Sequence, residues 1–274
     1  MTEDLPTVRS RIRGVRQLDA VIGAMRGIAA AHAEQSRELL PGVRAYSGAI
    51  AQATAQALQL QDADAQINPR QGDLARIVFS AEQGFVGGFV EHVLAASAAR
   101  SLADVFLLGS RGLLLAPGYG IAPVWQSALA TQPAGIFNMC IRVAEALCEW
   151  MAARRPRGVE AVFPTWSRGA GMSVTCQSLL PFDRTRLPVA QPSAPPATTL
   201  RPDALLEKLA EENLFAALCE AAMSAFVAES EARAAAMVRA RTKVQDVLEA
   251  LALTEQRVRQ EEITTELVEL AAAM

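Results

Sequence analysis

The end of the sequence is a long stretch without glycine or proline, the two residues that most often end or kink a helix. The stretch runs from Asp203 to Met274, and about 70 residues of helix at roughly 1.5 Å each would extend for about 105 Å. Pro202 suits the first turn of such a helix, and Asp203 places a carboxylate at the positive end of its dipole. No compact domain needs so long a helix, so the stretch predicts an extended element.

A second helix is predicted at the start of the chain. Its apolar residues are three or four positions apart, the spacing of one helix face: Val8, Ile12, Val15, Leu18, Ile22, Met25 and Ala29. The last segment carries a similar stripe, so we expect an antiparallel coiled coil of an N-terminal helix at 1–60 and a C-terminal helix at 203–274. Gly14, Gly23 and Gly27 each weaken the first helix by up to about 1 kcal/mol, and close approach of the second helix is the expected compensation.

Between the two helices the pattern changes to alternating strands and helices. The predicted elements are strands at 75–79, 105–109, 159–166 and 172–180 and a helix at 133–155. The first two strands end in glycine-bearing turns that precede helix-like stretches. These elements predict a small central α/β, Rossmann-like domain at residues 72–187. The proline- and alanine-rich residues that follow predict a linker at 188–202.

The composition agrees with a helix-rich chain and excludes several classes of protein. The residues are 51% hydrophobic but only 5% aromatic, and 26 Lys and Arg against 29 Asp and Glu leave a net charge of -3. This balance gives no reason to expect a nucleic-acid partner. No stretch approaches about eighteen uninterrupted apolar residues, and the amino terminus has no apolar signal core. We therefore expect a soluble, cytoplasmic protein.

The cysteines and histidines predict neither a metal site nor nucleophilic catalysis. The cysteines are far apart, form no Cys-x-x-Cys pair and lie in apolar surroundings: Cys140, Cys148, Cys176 and Cys219. We expect four buried free thiols. His32 and His92 are the only histidines and have no companion ligand at metal spacing, which argues against a zinc site or a Ser-His-Asp triad. We therefore predict no metal, no cofactor and no catalytic residue.

A glycine-rich turn, GFVGGF at residues 84–89, follows the first predicted strand at the place where an open α/β sheet would hold a phosphate. It lacks the Gly-x-Gly-x-x-Gly order and the Gly-Lys-Ser/Thr ending of nucleotide-binding loops. We therefore interpret Gly84, Gly87 and Gly88 as residues of a tight structural turn. The GSRG sequence at 109–112 follows the second strand and is interpreted as another turn.

Basic residues recur on both terminal helices. They are Arg9, Arg11, Arg13 and Arg16 on the first and Arg233, Arg239, Arg241 and Lys243 on the last. Two interpretations stay open. The residues can be solvated helix flanks paired with nearby carboxylates, or they can form a basic collar for acidic segments of surrounding proteins.

A series of landmarks identifies a family resemblance. They are Arg9, Arg11, Ile12, Val15, Ala24, Met25 and residues 29–31 near the start, Ser80, residues 84–89 and 179–181 in the middle, and Glu229, Ala232, Arg233, Ala236, Met237, Leu251, Leu253, Arg257, Arg259, Gln260, Ile263, Thr264, Glu266 and Glu269 near the end. In these residues the chain resembles the gamma subunit of F-type ATP synthases. The resemblance spans the whole chain in order, is specific at both ends and is weak from about 118 to 200.

The chain also departs from the pattern of that family. The departures are Gly23, His32, Gln83, Val86 and Gln256, together with Glu261 and Glu262 at positions where small neutral residues are common. A copy this divergent resembles the gamma subunit of alternate bacterial F-type ATPases, some of which are similar to sodium pumps.

The resemblance implies a non-catalytic rotor shaft. Such a shaft stands inside a hexamer of alpha and beta subunits, and its foot rests with the epsilon subunit on the membrane c-ring, at the cytoplasmic face of the bacterial inner membrane. Ion flow then turns the shaft and drives ATP synthesis, or ATP hydrolysis drives the reverse. Carried over by position, the implied contacts with the beta subunit are Met25, Arg26, Arg233, Arg259, Gln260, Thr264 and Glu266.

Two alternatives from other classes remain open at this point. A nucleotide-binding α/β enzyme would need a phosphate loop and a general acid or base, and the sequence shows neither. A stand-alone coiled-coil adaptor would need no hexameric partner.

Overall fold

The computed structural model describes residues 4–58, 60, 72–154, 156–181 and 198–273. Its helices are α1 (Leu5–Leu58), α2 (Phe89–Ala98), α3 (Ser110–Leu115), α4 (Ile136–Ala153) and α5 (Pro202–Ala272), with short 3-10 helices at Ala116–Tyr119 and Pro133–Gly135. Its strands are β1 (Leu74–Phe79), β2 (Asp104–Leu108), β3 (Trp125–Ser127), β4 (Gly158–Ser167) and β5 (Gly171–Leu180). The predicted fold class, long terminal helices with a central α/β sheet, is confirmed. Residues 188–197 of the predicted linker lie outside the described residues.

The five strands form one sheet in the order β3-β2-β1-β4-β5. The first four strands are parallel, and β5 runs antiparallel to β4. The central strand, β1, is paired on both sides, with Ile77 opposite Phe106 of β2 and Ala161 of β4. The three-residue strand β3 was not predicted, because its sequence is too short to show a period of two.

The chain divides into two compact units, described here separately. One unit comprises residues 31–232 and contains the sheet, and the other comprises residues 1–30 and 233–274 and contains the two ends of the chain. We call them the sheet unit and the helix-pair unit.

The sheet unit has an apolar layer on each face of its sheet, because successive residues of a buried strand point to opposite sides. On one face, Ile77 and Phe79 belong to a buried cluster with Met139 and Leu147 of α4 and Leu218 of α5. On the other face, the buried cluster includes residues of β1, β2 and α2: Val78, Leu107, Phe89, Val93 and Leu94. Parallel strands covered on both faces explain why β1 and β2 are apolar except at Arg76 and Asp104.

In the helix-pair unit, α1 and α5 run antiparallel. Val8 and Ile12 of α1 form a buried cluster with Leu251 of α5, and Val15 and Leu248 pack against it. Two ion pairs fix the direction of the helices. Arg9 Nε lies 2.8 Å from Glu255 Oε1, and Arg241 Nε lies 3.2 Å from Asp19 Oδ1, so the contact moves backwards along α5 as it moves forwards along α1. Arg9 and Arg241 therefore pair with carboxylates, as expected for solvated helix flanks.

Two details of the predicted helix pair were wrong. Leu18 is 56% exposed. The face of α1 that contacts α5 runs through Val8, Ile12 and Val15, and the next position on it is Asp19, not Leu18. A methyl group added at Gly14, Gly23 or Gly27 would meet nothing within 4 Å. These glycines therefore do not serve a close approach between the helices.

The prediction of four buried thiols was also wrong in part. Cys140 and Cys219 are buried, Cys176 is half-buried and Cys148 is exposed, and all four are free thiols. A hydrogen bond with Cys219, together with burial, raises the pKa of the Cys140 thiol. Cys148 lies on the outer face of α4. Its apolar sequence neighbours do not indicate whether a residue lies on the outer or the inner face of the helix.

Candidate functional site

The turn after β1 lies at the carboxyl edge of the parallel strands, where open α/β sheets place their ligands. Two of its residues, Phe85 with φ 62° and Gly87 with φ 65°, have left-handed backbone conformations. Gly88 precedes α2, and a methyl group added there would come within 3.3 Å of the His92 ring. A methyl group added at Gly84 would meet nothing within 4 Å.

A carboxylate of the protein itself occupies the centre of this edge. Glu82 accepts hydrogen bonds from the amide and hydroxyl of Ser110, at 3.1 and 2.7 Å, and from the amide of Leu129, at 2.7 Å. Ser110 begins α3 after β2, and Leu129 follows β3. One side chain therefore joins the carboxyl ends of three neighbouring strands, and it fills the position beside a helix start that suits an anion.

Close packing leaves no room for a side chain at two glycines of this edge, Gly109 and Gly112. A methyl group added at Gly109 would lie 2.6 Å from the carbonyl oxygen of Ala81, and one added at Gly112 would lie 2.5 Å from the Ser80 side chain. The amide of Arg111 also donates to the Ala81 oxygen. The GSRG sequence, interpreted above as a turn, starts α3 instead, because Gly109 with φ 109° turns the chain directly into the helix.

A second carboxylate joins the turn to the long C-terminal helix. Glu229 of α5 is buried, and its Oε1 accepts hydrogen bonds from the amides of Glu82 and Gln83, each at 3.2 Å. Consecutive amides that point at one acceptor form an anion-binding nest. Here the acceptor belongs to the same chain, so the nest attaches the turn to α5.

A buried ion pair joins β1 to β4 near the amino ends of these two strands. Arg76 Nε of β1 donates to Glu160 Oε1 of β4 at 2.6 Å, and its other two nitrogens donate to the carbonyl oxygens of Ser97 and Ser101. Arg100 approaches Glu160 Oε2 at 3.3 Å. Burial alone would raise the pKa of Glu160, but the hydrogen bonds and charges of the two arginines lower it below its ordinary value of 4.5. Glu160 is therefore ionised at neutral pH.

The predicted partner-contact residues all lie in the helix-pair unit. Met25 is half-buried and Arg26 is exposed on α1, whereas Arg233 is 9% exposed on α5. The other four predicted contacts are exposed in the last four turns of α5: Arg259, Gln260, Thr264 and Glu266. Gln260 and Thr264 also line a shallow surface depression, together with Arg257, Glu261, Thr265, Val268 and Glu269.

Within the described part of the chain, two kinds of feature are absent. No helix there is both long enough and apolar enough to cross a membrane. No group of three or more His, Cys, Asp and Glu side chains there could hold a metal ion.

Curated relatives align with nearly the whole chain. The ATP synthase gamma chain of Allorhizobium ampelinum is 25% identical over 285 residues, which cover 98% of this chain and 97% of that protein. The ATP synthase gamma chain of Geotalea uraniireducens is 24% identical over 278 residues, with coverages of 97% and 96%. The family model described as ATP synthase matches residues 4–274. The chain belongs to the ATP synthase gamma-chain family.

Solved structures show the same fold. A chain of the Euglena gracilis mitochondrial ATP synthase, from a structure of OSCP, F1 and the c-ring in rotational state 3, superposes with a TM-score of 0.67 at 13% identity. The superposition covers 98% of this gamma-family chain and 93% of that chain. A chain from the central stalk and c-ring of the Tetrahymena thermophila mitochondrial ATP synthase gives a TM-score of 0.59 at 13% identity, covering 80% and 99%.

Sequence reasoning missed the two carboxylates at the turn of this gamma-family chain. Glu229 was noted only as a landmark of the resemblance, and Glu82 was not noted. Glu82 stands two residues before the glycine-rich turn, and an acidic residue beside a would-be phosphate loop was the available signal. The partners of both carboxylates are 28 to 147 residues away in the sequence, so no local pattern could identify them.

Proposed function

We propose that this gamma-family chain is the central-stalk rotor subunit of a bacterial F-type ATP synthase. The observation that carries the proposal is the family match along residues 4–274. The antiparallel packing of α1 and α5 in the helix-pair unit supports it, because paired helices resist bending and twisting better than a single helix does. In this role the chain couples transmembrane ion flow to ATP synthesis or hydrolysis by rotation.

The proposed partners follow from the same assignment. The alpha and beta subunits form the surrounding hexamer, and the epsilon subunit and the membrane c-ring contact the foot of the rotor. Two of the similar solved structures are described as containing F1 or a central stalk together with a c-ring. The chain then belongs at the cytoplasmic face of the inner membrane as a peripheral protein.

Purification of the tagged chain from its native host tests this proposal. We expect it to copurify with alpha, beta, epsilon and c subunits in a complex that hydrolyses ATP. Mass spectrometry identifies the subunits, and a chain truncated after residue 232 serves as the control, because it lacks the α5 half of the helix pair. Recovery of the full-length chain without alpha and beta subunits would refute the rotor assignment.

We also propose that the chain performs no chemistry itself. The support is the carboxyl edge of its sheet, where Glu82 lies in the place of a phosphate and where neither Gly109 nor Gly112 has room for an added methyl group. A phosphate brought there would meet a carboxylate of like charge. The alternative of a nucleotide-binding enzyme therefore has no site at this edge.

The isolated chain should neither bind nor hydrolyse ATP. Isothermal titration calorimetry with Mg-ATP up to about 1 mM should show no saturable heat, since binding at a Kd of 1 mM corresponds to only about 4 kcal/mol. Glu82→Gln removes the negative charge that would repel a phosphate but keeps the size of the side chain. If packing alone excludes a nucleotide, this variant should also show no saturable heat. Turnover by the pure chain that added alpha and beta subunits do not change would contradict the proposal.

The predicted contacts with the beta subunit stay a proposal, and Met25 offers its test. Met25→Lys places a positive charge on an α1 side that we propose to face acidic beta-subunit segments. An ion pair between the new lysine and a beta-subunit carboxylate at about 4 Å, partly screened, contributes roughly 1 to 4 kcal/mol. Because the pair forms in one rotational position only, the rotor should leave that position about five- to several-hundredfold more slowly.

The measurement compares ATP-driven ion pumping with ATP hydrolysis in the assembled Met25→Lys complex at low and high salt. Pumping per ATP should fall at low salt and recover at high salt, because salt screens the added charge. Ala20→Lys adds the same charge at an exposed position about 140° around the helix and is the matched control. An unchanged ratio and unchanged rates at both salt levels would mean that Met25 faces no acidic partner.

A further inference from the structure

Two cysteine thiols of the sheet unit meet in its interior. Cys140 lies on α4 and Cys219 on α5, and both side chains are 0% exposed. They belong to the apolar cluster that covers one face of the sheet, and a hydrogen bond joins their thiol groups. A single buried cysteine is an ordinary small core residue. Two buried thiols in contact on different helices can, in addition, form a bond with each other.

The other two cysteines have different neighbours. Cys148 is exposed on the outer face of α4, and the Cys176 thiol donates a hydrogen bond to Glu160 Oε2 at 3.6 Å. A disulfide requires Cα atoms about 4.4–6.8 Å apart and Cβ atoms about 3.5–4.5 Å apart. Side chains as short as cysteine hydrogen-bond to each other only when their backbones are close. At Cys140 and Cys219, α4 and α5 therefore already approach the separation that a disulfide needs.

We propose that Cys140 and Cys219 form an oxidation site, at which a small disulfide such as oxidised glutathione causes a covalent bond between α4 and α5. The thiolate of one cysteine attacks the small disulfide, forms a mixed disulfide and releases one thiol. The thiolate of the other cysteine then attacks the mixed disulfide and releases the second thiol. Two cysteine thiols are oxidised to one disulfide, one small disulfide is reduced to two thiols, and the released thiols take up the two protons that the cysteines lose.

The closed sheet unit protects both thiols from this reaction. The hydrogen bond with Cys219 and burial both raise the pKa of the Cys140 thiol, so almost no reactive thiolate is present while the cluster is closed. Side chains that are 0% exposed are also out of reach of an oxidant in solution. The reaction therefore requires a local opening in which α4 separates from α5, and its rate reports how often that opening occurs.

The bond should stabilise the sheet unit once it has formed. It joins residue 140 to residue 219, so the chain between them, which includes β4 and β5, becomes a closed loop. The closed loop restricts the unfolded chain, whereas the two sulfur atoms are already in contact in the folded chain. We expect Tm of the oxidised chain to be about 5–15 °C higher than that of the reduced chain. The inference does not depend on the proposed rotor function.

The experiment incubates the full-length chain with oxidised glutathione, blocks the remaining thiols and maps the disulfides by mass spectrometry. The expected main product is a bond between Cys140 and Cys219, with the loss of two hydrogen atoms per chain. Urea at about half of the midpoint concentration should speed its formation by about tenfold, because denaturant favours the open state. Differential scanning calorimetry should show the rise in Tm, and dithiothreitol should reverse it.

Two single variants serve as controls. Cys219→Ala removes one thiol of the pair and should abolish both the bond and the rise in Tm. Cys148→Ala removes the exposed thiol of the same helix and should change neither. The proposal is overturned if glutathione stays attached to Cys140 or Cys219, if no bond between them forms even in urea, or if the oxidised wild type is no more stable than the reduced one. The measurements on the wild type decide the matter even if Cys219→Ala does not fold.

Discussion

Replacing Glu160 with glutamine should lower the free energy of unfolding of the sheet unit by about 3–5 kcal/mol. The substitution leaves the shape of the side chain but removes the charge that faces Arg76. The Arg76 side chain is 4% exposed, so its charge would remain buried without an opposite charge. A buried unpaired charge costs far more than the loss of an exposed ion pair, whose contribution is about 0–1 kcal/mol.

Denaturant unfolding followed by tryptophan fluorescence measures this effect, because all three tryptophans lie in the sheet unit. The matched control is the double variant Arg76→Met with Glu160→Leu, which removes both charges and should recover at least half of the loss. A single variant that loses less than about 1 kcal/mol, or a double variant no more stable than the single, would show that the pair is not isolated from water.

The same carboxylate should make the wild-type chain sensitive to acid. The pKa of Glu160 is lower in the folded state than its ordinary value of 4.5, so its contribution to stability is present above that value and is lost as the pH falls through the lower folded pKa. The difference in unfolding free energy between the wild type and Glu160→Gln should therefore shrink below about pH 4.5. A difference that stays constant from pH 7 to pH 3 would contradict the assignment.

Gly109→Ala is the second substitution with a large expected effect, a loss of about 3–5 kcal/mol of stability. Two costs combine at this position. The added methyl group would lie 2.6 Å from a backbone oxygen, and the φ of 109° is one that residues with a Cβ rarely adopt. Neither cost can be relieved by rotating a side chain, since the obstacle is the backbone of Ala81.

Gly118→Ala is the matched control for that substitution. Gly118 has no atom within 4 Å of the position of an added methyl group, and its φ lies outside the left-handed region. It should change stability by less than about 1 kcal/mol in the same fluorescence assay. Equal stabilities of the two variants would show that α3 can move away from the turn after β1 at little cost.

The main elements of the fold were predictable because their signals are local. The glycine- and proline-free stretch predicted α5, and apolar spacing predicted α1. Buried parallel strands gave the apolar runs of β1 and β2. Each signal depends on residues a few positions apart, so one sequence was enough to detect it.

The details that the sequence did not predict depend on distant partners. Val15 and Leu18 belong to the same predicted stripe, but only the position of α5 decides that Val15 packs against it while Leu18 is exposed. Cys148 and Cys140 lie on the same helix, and only the packing of α4 on the sheet separates the exposed thiol from the buried one. The hydrogen bonds of Glu82 and Glu229 join residues far apart in sequence, so the carboxylates at the turn became visible only in the fold.

The central position of β1 has a mechanical consequence. A force on α5 reaches the carboxyl end of β1 through the two hydrogen bonds between Glu229 and the turn. Because β1 is paired on both sides, with β2 and with β4, a pull along its axis loads the hydrogen bonds of two ladders in shear. Bonds loaded in shear share the force and must break together, whereas bonds that are peeled open break one after another. The strand that receives the load is therefore held on both sides by bonds that share it.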